Sequence, residues 1–547
     1  MKLLKQSSIF LLMFMIIMLL FSTLLFFIHV SISSFHLILS LLITVGIYYL
    51  LNRKLDKNFI FKVIGLSLVV ILISTLVSTF MFDRSSDGNT YHKDAIGVLK
   101  EGWNPIYESS ETFIENRNDD SKELVEYSIW SDHYAKANWI IGANFYSLTD
   151  NIESGKAMNL ISIYILFGFV FTTLVNVLDK KKSLILSLIT VINPITASQM
   201  LTYYNDQLVC VYLFLAILFL IKLDRDINDK ESWILYGLTF IILANMKFNG
   251  LGYLLVFSFL FVCRYLYKAY KDKKFLVLFK KLCIIFIPLF IVSLIVVGAP
   301  TYVKNTIDHS NPFFPLYDDN GEDIITAQQP KSFLKMNNLE KLFYGTFSKV
   351  NNLRDHDKTT LKIPFTIYKD EIVPATSNDL RISGWGIIFS GLLLCSLIIL
   401  IKYYKDYKKE SWILYTLGIT VLLLIVMSES WWARYTPHFY LFIILSLYVL
   451  LKYSKFKFIN IIYIGLITVN TFLPLAGNTY YTLKNSIKII SDLSNLSNKE
   501  IIVNTKGMNG VIYNLKDYDV SYKIDNSLVG DELYYHYLEY KEIKNEE

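Results

Sequence analysis

Three features of the sequence predict an all-α polytopic membrane fold: charge-free apolar blocks of bilayer length, a low charged fraction, and loops whose basic residues favour one side. The chain is 53% hydrophobic and only 18% charged, and its apolar residues run in blocks rather than in the periodic stripes of soluble helices. No Lys, Arg, Asp or Glu occurs from Gln6 to Asn52, nor in the twenty residues from Val63 to Phe82. Each such run, as a helix, covers about 30 Å of hydrocarbon. The start resembles a secretory signal, but its apolar block is long and no small-x-small site closes it, so it is read as a retained first helix.

Thirteen helices are expected, near 8–28, 35–51, 61–81, 157–178, 183–200, 207–223, 232–246, 250–268, 276–299, 385–403, 411–428, 435–452 and 457–476. Cytoplasmic loops collect Lys and Arg. Arg53, Lys54 and Lys57, Lys180 to Lys182, Lys222, Arg225 and Lys230, the run from Arg264 to Lys281, Lys402 to Lys409, and Lys452 to Lys457 all fall on one set of alternate loops. That set is placed inside, which puts the N-terminus in the cytoplasm and the C-terminus outside. The net charge of +6 is therefore a topology signal and not a nucleic-acid footprint. The four cysteines lie in or beside apolar segments, which leaves none for a disulfide in the outer loops. The abundance of Lys, Asn and Ile suggests a bacterial source.

The organisation that follows is N-terminal helices over 1–81, a first large extracytoplasmic loop over 82–156, helices over 157–299, a second outer loop over 300–384, helices over 385–476 and a small α/β extracytoplasmic domain over 477–547. In the first loop Tyr134 to Leu148, with Trp139, Ile140, Ile141 and Phe145, reads as an interfacial amphipathic helix. In the tail, Glu500 to Asn504 and Val511 to Leu515 read as strands, followed by a charged terminal helix. The absence of an internal repeat counts against the common transporter folds.

Polar residues gather at outer helix ends. Phe82-Asp83-Arg84-Ser85-Ser86-Asp87-Gly88-Asn89-Thr90-Tyr91-His92 carries two carboxylates four residues apart, which share one face if the third helix continues through them. Solvated acids at a helix C-cap are the plain alternative. Trp103-Asn104-Pro105 follows in the same loop, and Tyr203-Tyr204-Asn205-Asp206, Asn245-Met246-Lys247 and Glu429-Ser430-Trp431-Trp432-Ala433-Arg434-Tyr435 mark other helix ends. Lys247 and Arg434 stand on the side that should lack cations: they either snorkel to headgroups or bind a phosphate. Pro300 to Asn305, with Lys304, and the turn Asn311-Pro312-Phe313-Phe314-Pro315 complete the set.

Taken together, these elements resemble the bacterial GT-C glycosyltransferase superfamily, which includes protein O-mannosyltransferases. The acidic motif with Tyr91 and His92, the Asn-Pro-x-x-Pro element at Asn311 to Pro315, and Trp431 to Tyr435 carry the resemblance. Two departures stand out: the acidic loop follows the third helix rather than the first, and the two acids are separated rather than adjacent. The resemblance implies a GT-C-like enzyme that moves a sugar from a polyprenyl-phosphate donor to a cell-envelope acceptor at the outer face, with inversion. A polyprenyl phosphate is already a weak base, so one carboxylate serves as general base for the acceptor hydroxyl.

On that reading Asp83 is the first choice as base, with Asp87 close behind in orienting the acceptor or binding an ion, and Lys247, Lys304 and Arg434 bind the donor phosphate. Tyr91, His92, Trp103, Tyr204, Asp206, Trp431, Trp432 and Tyr435 contact substrate. No cofactor is firmly implied; a divalent cation on Asp83, Asp87 and His92 is the minor alternative. The partners expected are the lipid-linked sugar, an envelope glycan or other acceptor, and the bilayer. The rival readings are a transporter or flippase of a lipid-linked glycan, and a glycan ligase or polymerase.

Overall fold

The computed structural model describes residues 1–116, 128–316, 328–351, 359–534 and 537–543. Eight of its helices are long and apolar enough to cross a membrane: Lys2–Phe26, Ser34–Leu51, Lys57–Phe80, Ile152–Leu174, Asp206–Arg225, Phe248–Lys271, Phe275–Val297 and Lys457–Leu496. Phe389–Lys402, Ser411–Val426 and Pro437–Tyr453 are apolar but shorter. Every segment expected from hydropathy is helical, yet length separates them. The segment 183–200 is divided, because Asn193 turns its side chain onto the backbone N–H groups of Ile195 and Thr196, both at 3.1 Å, and Pro194 opens a new short helix. Outward faces are apolar, as at Phe61, Leu72, Ile284 and Ile398, which is the surface that hydrocarbon solvates.

The two ends of the bundle differ in chemistry. At one end, Asp224 receives Arg264 through a fork of 2.8 and 3.0 Å and Lys268 at 2.6 Å, while Glu410 receives Lys452 at 2.7 Å. At the other end lie the acidic loop, Asp206, Lys247 and Arg434.

Several expectations change. The third helix stops at Phe80 because Phe82 leaves it for the core of the C-terminal domain, packing with Ile489, Leu493 and Leu538, and its N–H bonds Ser486 Oγ at 2.8 Å. A new helix starts only at Ser86, so Asp83 and Asp87 do not share a face of one continuing helix. The segment Ala137–Thr149 is not interfacial. Trp139, Ile140, Ile141 and Phe145 are all buried, because Lys2–Phe26, Ser34–Leu51 and Lys93–Lys100 surround it.

The last helix runs on from Lys457 to Leu496, carrying the chain well past 477 before the small domain begins. That domain has β1 (Glu500–Asn504), β2 (Ser521–Ile524), β3 (Asp531–Leu533) and β4 (Leu538–Glu542) in the order β2-β1-β4-β3. β1 pairs in parallel with β2 and antiparallel with β4. Residues 511–515 are helical rather than extended, since Ile512–Asp517 is the crossover that a parallel β1–β2 pair requires. The terminal segment expected to be helical is instead β4 as far as Glu542, and residues 544–547 lie outside the described residues.

Candidate functional site

Two ion networks flank the acidic loop. The first is centred on Arg434. Its Nη1 stands 3.1 Å from Asp87 Oδ2 and 3.5 Å from Asp206 Oδ2, and its Nε lies 3.0 Å from Asp379 Oδ1. Tyr204 and Trp432 cover the guanidinium at 4.6 and 4.8 Å. Lys247 Nζ meets the other oxygen of Asp206 at 2.6 Å and lies 4.4 Å from the Tyr435 ring. Arg381 holds Asp379 at 2.8 Å and stacks on Trp432 at 4.5 Å. Backbone bonds from Ala433 and Arg434 to the carbonyls of Arg381 and Leu380 join the two segments that carry these side chains.

Burial opposes the charge of Arg434, but Asp379, Asp87 and Asp206 outweigh it and hold the guanidinium well above its usual range. Asp87, Asp206 and Asp379 balance Arg434, Lys247 and Arg381 in formal charge. The network keeps an open edge: the side chains of Asp87, Asp379 and Lys247 are 19, 16 and 16% exposed, whereas Asp206 is 1% exposed.

The second network is sealed. Lys93 Nζ donates to Glu153 Oε1 at 2.5 Å, Asn514 Oδ1 at 2.8 Å and the Tyr534 hydroxyl at 2.6 Å. Glu153 also receives Lys156, the Asp83 N–H at 3.0 Å and Asn514 Nδ2 at 3.0 Å. Lys93, Glu153 and Lys156 have fully buried side chains. Burial lowers the Lys93 ammonium from its ordinary value despite the carboxylates around it.

Asp83 belongs to this sealed side. Its two oxygens accept from the Ser85 N–H at 2.9 Å and the Ser85 hydroxyl at 2.8 Å, and burial raises its carboxyl above the usual range. Gly88 makes the turn fit, since a Cβ there would lie 1.8 Å from Asp83 Oδ2. His92 turns elsewhere again: its Nδ1 accepts from Trp139 Nε1 at 2.7 Å, and burial, aided by Lys247, lowers its pKa to about 3 and keeps it neutral. Asp83, Asp87 and His92 thus face three different partner sets. Among the described residues no group of three His, Cys, Asp or Glu side chains is placed to hold a metal ion.

Of the expected phosphate ligands, the structure brings Lys247 and Arg434 together but pairs Lys304 with Asp308 at 3.2 Å, in a group with Asp132, His133 and Lys136. Trp103 is fully buried, donating to the Glu108 carbonyl at 3.2 Å. Trp431 is buried between Phe333 and Trp432. Tyr91, Tyr204, Asp206, Trp432 and Tyr435 all stand around Arg434.

Sequence reasoning missed Asp379, Arg381, Lys93, Glu153 and Lys156. Asp379 and Arg381 precede the apolar run that begins near Trp385, and Glu153 and Lys156 precede the one at Ala157. Charges at the mouths of apolar segments were the available signal. Compared with known proteins, the chain matches no family model, no curated protein and no solved structure.

Proposed function

We propose that the protein is a membrane glycosyltransferase that moves a sugar from a polyprenyl-phosphate donor to a cell-envelope acceptor on the extracytoplasmic face, with Asp87 as general base. The observation that carries this reading is the partly open cluster in which Asp87 meets Arg434, Asp206, Asp379 and Lys247 at one end of an apolar helical bundle. The motif resemblance to GT-C enzymes supports it, as does the concentration of basic loops at the opposite end. The cluster end is read as outer, with the N-terminus in the cytoplasm and the C-terminus outside, in a bacterial cell.

Of the two candidate acids, Asp87 is favoured because its side chain keeps exposure and an ionic partner. Asp83 spends both oxygens on Ser85. In the proposed step the Asp87 carboxylate takes the proton of an acceptor hydroxyl, whose oxygen bonds the anomeric carbon from the face opposite the leaving group. The bond from that carbon to the phosphate oxygen breaks, and its electron pair leaves on polyprenyl phosphate. Lys247 and Arg434, which share carboxylates among themselves, exchange part of that pairing for the phosphate as its charge grows. Aspartate pairing keeps both cations ordered before the donor arrives.

The test is Asp87→Asn in cells, with surface glycan composition as the readout at matched protein level. Transfer is expected to fall by about 10²- to 10⁴-fold; undiminished transfer rejects Asp87 as base. Donor lipid flipped in reconstituted vesicles without an acceptor favours transport instead.

A further inference from the structure

Four of the aromatic residues expected to contact substrate are unavailable to a sugar. Trp103, Trp431, Trp432 and Tyr204 are each at most 2% exposed, and guanidinium groups already cover Trp432 and Tyr204. Tyr91, also expected at the substrate, is partly open, and so are Trp130 and Tyr134, which were not expected there. Trp130 lies on Ser128–His133, with Tyr134 just after that helix, and Tyr91 lies one turn beyond Asp87. Trp130 and Tyr134 meet edge to face at 5.0 Å, and Tyr91 lies 6.1 Å from Trp130 and 6.4 Å from Tyr134.

This wall is fixed from behind. The Tyr134 carbonyl accepts from Lys136 Nζ and Thr301 Oγ1, both at 3.0 Å, the Asp132 carboxylate holds the Ser110 N–H at 2.6 Å, and Tyr134 packs on Phe248 at 5.5 Å. It also borders the Arg434 cluster, for Tyr91 and Tyr134 both lie within electrostatic reach of Asp87 and Arg434. The three rings brace one another beside the proposed base.

We infer that Trp130, Tyr91 and Tyr134 form the acceptor subsite and that the acceptor is a pyranoside, its apolar face on Trp130 and one hydroxyl presented to Asp87. The inference rests on the glycosyl-transfer reading. Its chemistry is that of an amphipathic ring: aromatic faces take the C–H side of a sugar, and the phenolic hydroxyls of Tyr91 and Tyr134 both donate to and accept from its hydroxyls. A polyanionic acceptor such as a polyol phosphate fits less well. The nearest cations behind the wall are committed, Lys136 to the carbonyls of Asp132 and Tyr134 and Lys304 to Asp308.

The experiment presents methyl glycosides of glucose, galactose, mannose and N-acetylglucosamine to the full chain in lipid nanodiscs, with saturation-transfer NMR as readout. At least one glycoside is expected to bind. Trp130→Ala weakens that binding at least about tenfold, and Trp130→Phe, which keeps a ring, stays within about threefold. Thermal midpoints of both variants report whether the chain remains folded, and rescue by Phe separates a lost ring from a lost fold. Binding of no glycoside to the wild-type chain, or binding indifferent to Trp130→Ala, overturns the subsite. If sugar transfer is nonetheless lost in Asp87→Asn, the catalytic reading survives that failure. Conversely, glycoside binding through Trp130 in a chain whose Asp87→Asn variant still transfers sugar keeps the subsite and removes Asp87 as base.

Discussion

The Arg434 cluster and the Lys93–Glu153–Lys156 cluster are built from the same residue classes on two sides of one loop, yet they differ in access. In the sealed cluster every charged side chain is fully buried, and Asn514 and Tyr534 of the C-terminal domain supply the remaining bonds. In the open one, Asp87, Lys247 and Asp379 keep an exposed edge. A buried ion network with all partners in place holds an assembly together, whereas one with an edge can trade a partner for a ligand. The sealed cluster therefore docks the C-terminal domain and orients the loop, and the open one is where chemistry is sought.

The largest expected effect tests the sealed side. Glu153→Gln leaves the Lys93 and Lys156 ammonium groups buried without their shared carboxylate, a loss of about 3–5 kcal/mol. Thermal unfolding in detergent should show a much lower midpoint. An unchanged midpoint would dissolve the contrast between the two clusters.

Next comes pH. Asp517 accepts from the Tyr146 hydroxyl at 2.7 Å and the Ile152 N–H at 2.6 Å, and burial raises its pKa to about 7. A carboxyl whose folded pKa lies above its unfolded value binds protons more tightly when folded. Its contribution is complete below about pH 4 and disappears as pH rises through about 7, a change of at most about 3 kcal/mol once its partial exposure is discounted. Protection factors of the 500–543 segment, taken relative to intrinsic exchange at each pH, should fall from pH 4.5 to 7.5, and Asp517→Asn should remove that residue's share of the slope.

A smaller effect belongs to the open side. Arg434→Lys keeps the charge but loses the planar fork that reaches three carboxylates. Sugar transfer is expected to fall about 10- to 100-fold in kcat/KM, about 2 kcal/mol, with little change in midpoint. Smallest is Lys304→Ala. Its partner Asp308 is a surface i,i+4 neighbour, so the change should cost less than about 0.5 kcal/mol and leave transfer within about threefold. A large loss of transfer there would return Lys304 to the phosphate site.

Hydropathy located the helices well because a charge-free run longer than a bilayer has few alternatives. It failed at Ala137–Thr149, where Trp139 and Phe145 suit an interface as readily as a core and only the surrounding helices decide. It failed again past 477, because Asn478 and Thr482 look like the end of a span while the helix continues to Leu496 with both buried. At the site, Asp87, Asp206, Lys247, Arg434 and Tyr435 were legible as polar residues at helix ends. Asp379 also stands at the mouth of an apolar run, but nothing in Ser377 to Arg381 indicates that it will meet Arg434, 55 positions on.

By itself the sequence determined the apolar helical framework and the gathering of polar residues at helix ends, both local consequences of hydrophobicity and charge. Only the tertiary structure decided which of two carboxylates four residues apart faces an open edge. Phe82 enters the core of the C-terminal domain, the third helix therefore ends, and the turn through Gly88 sends Asp83 inward and Asp87 toward Arg434. The residues on which that outcome depends, Ile489, Leu538 and Arg434, lie several hundred positions away, a separation that no local pattern encodes.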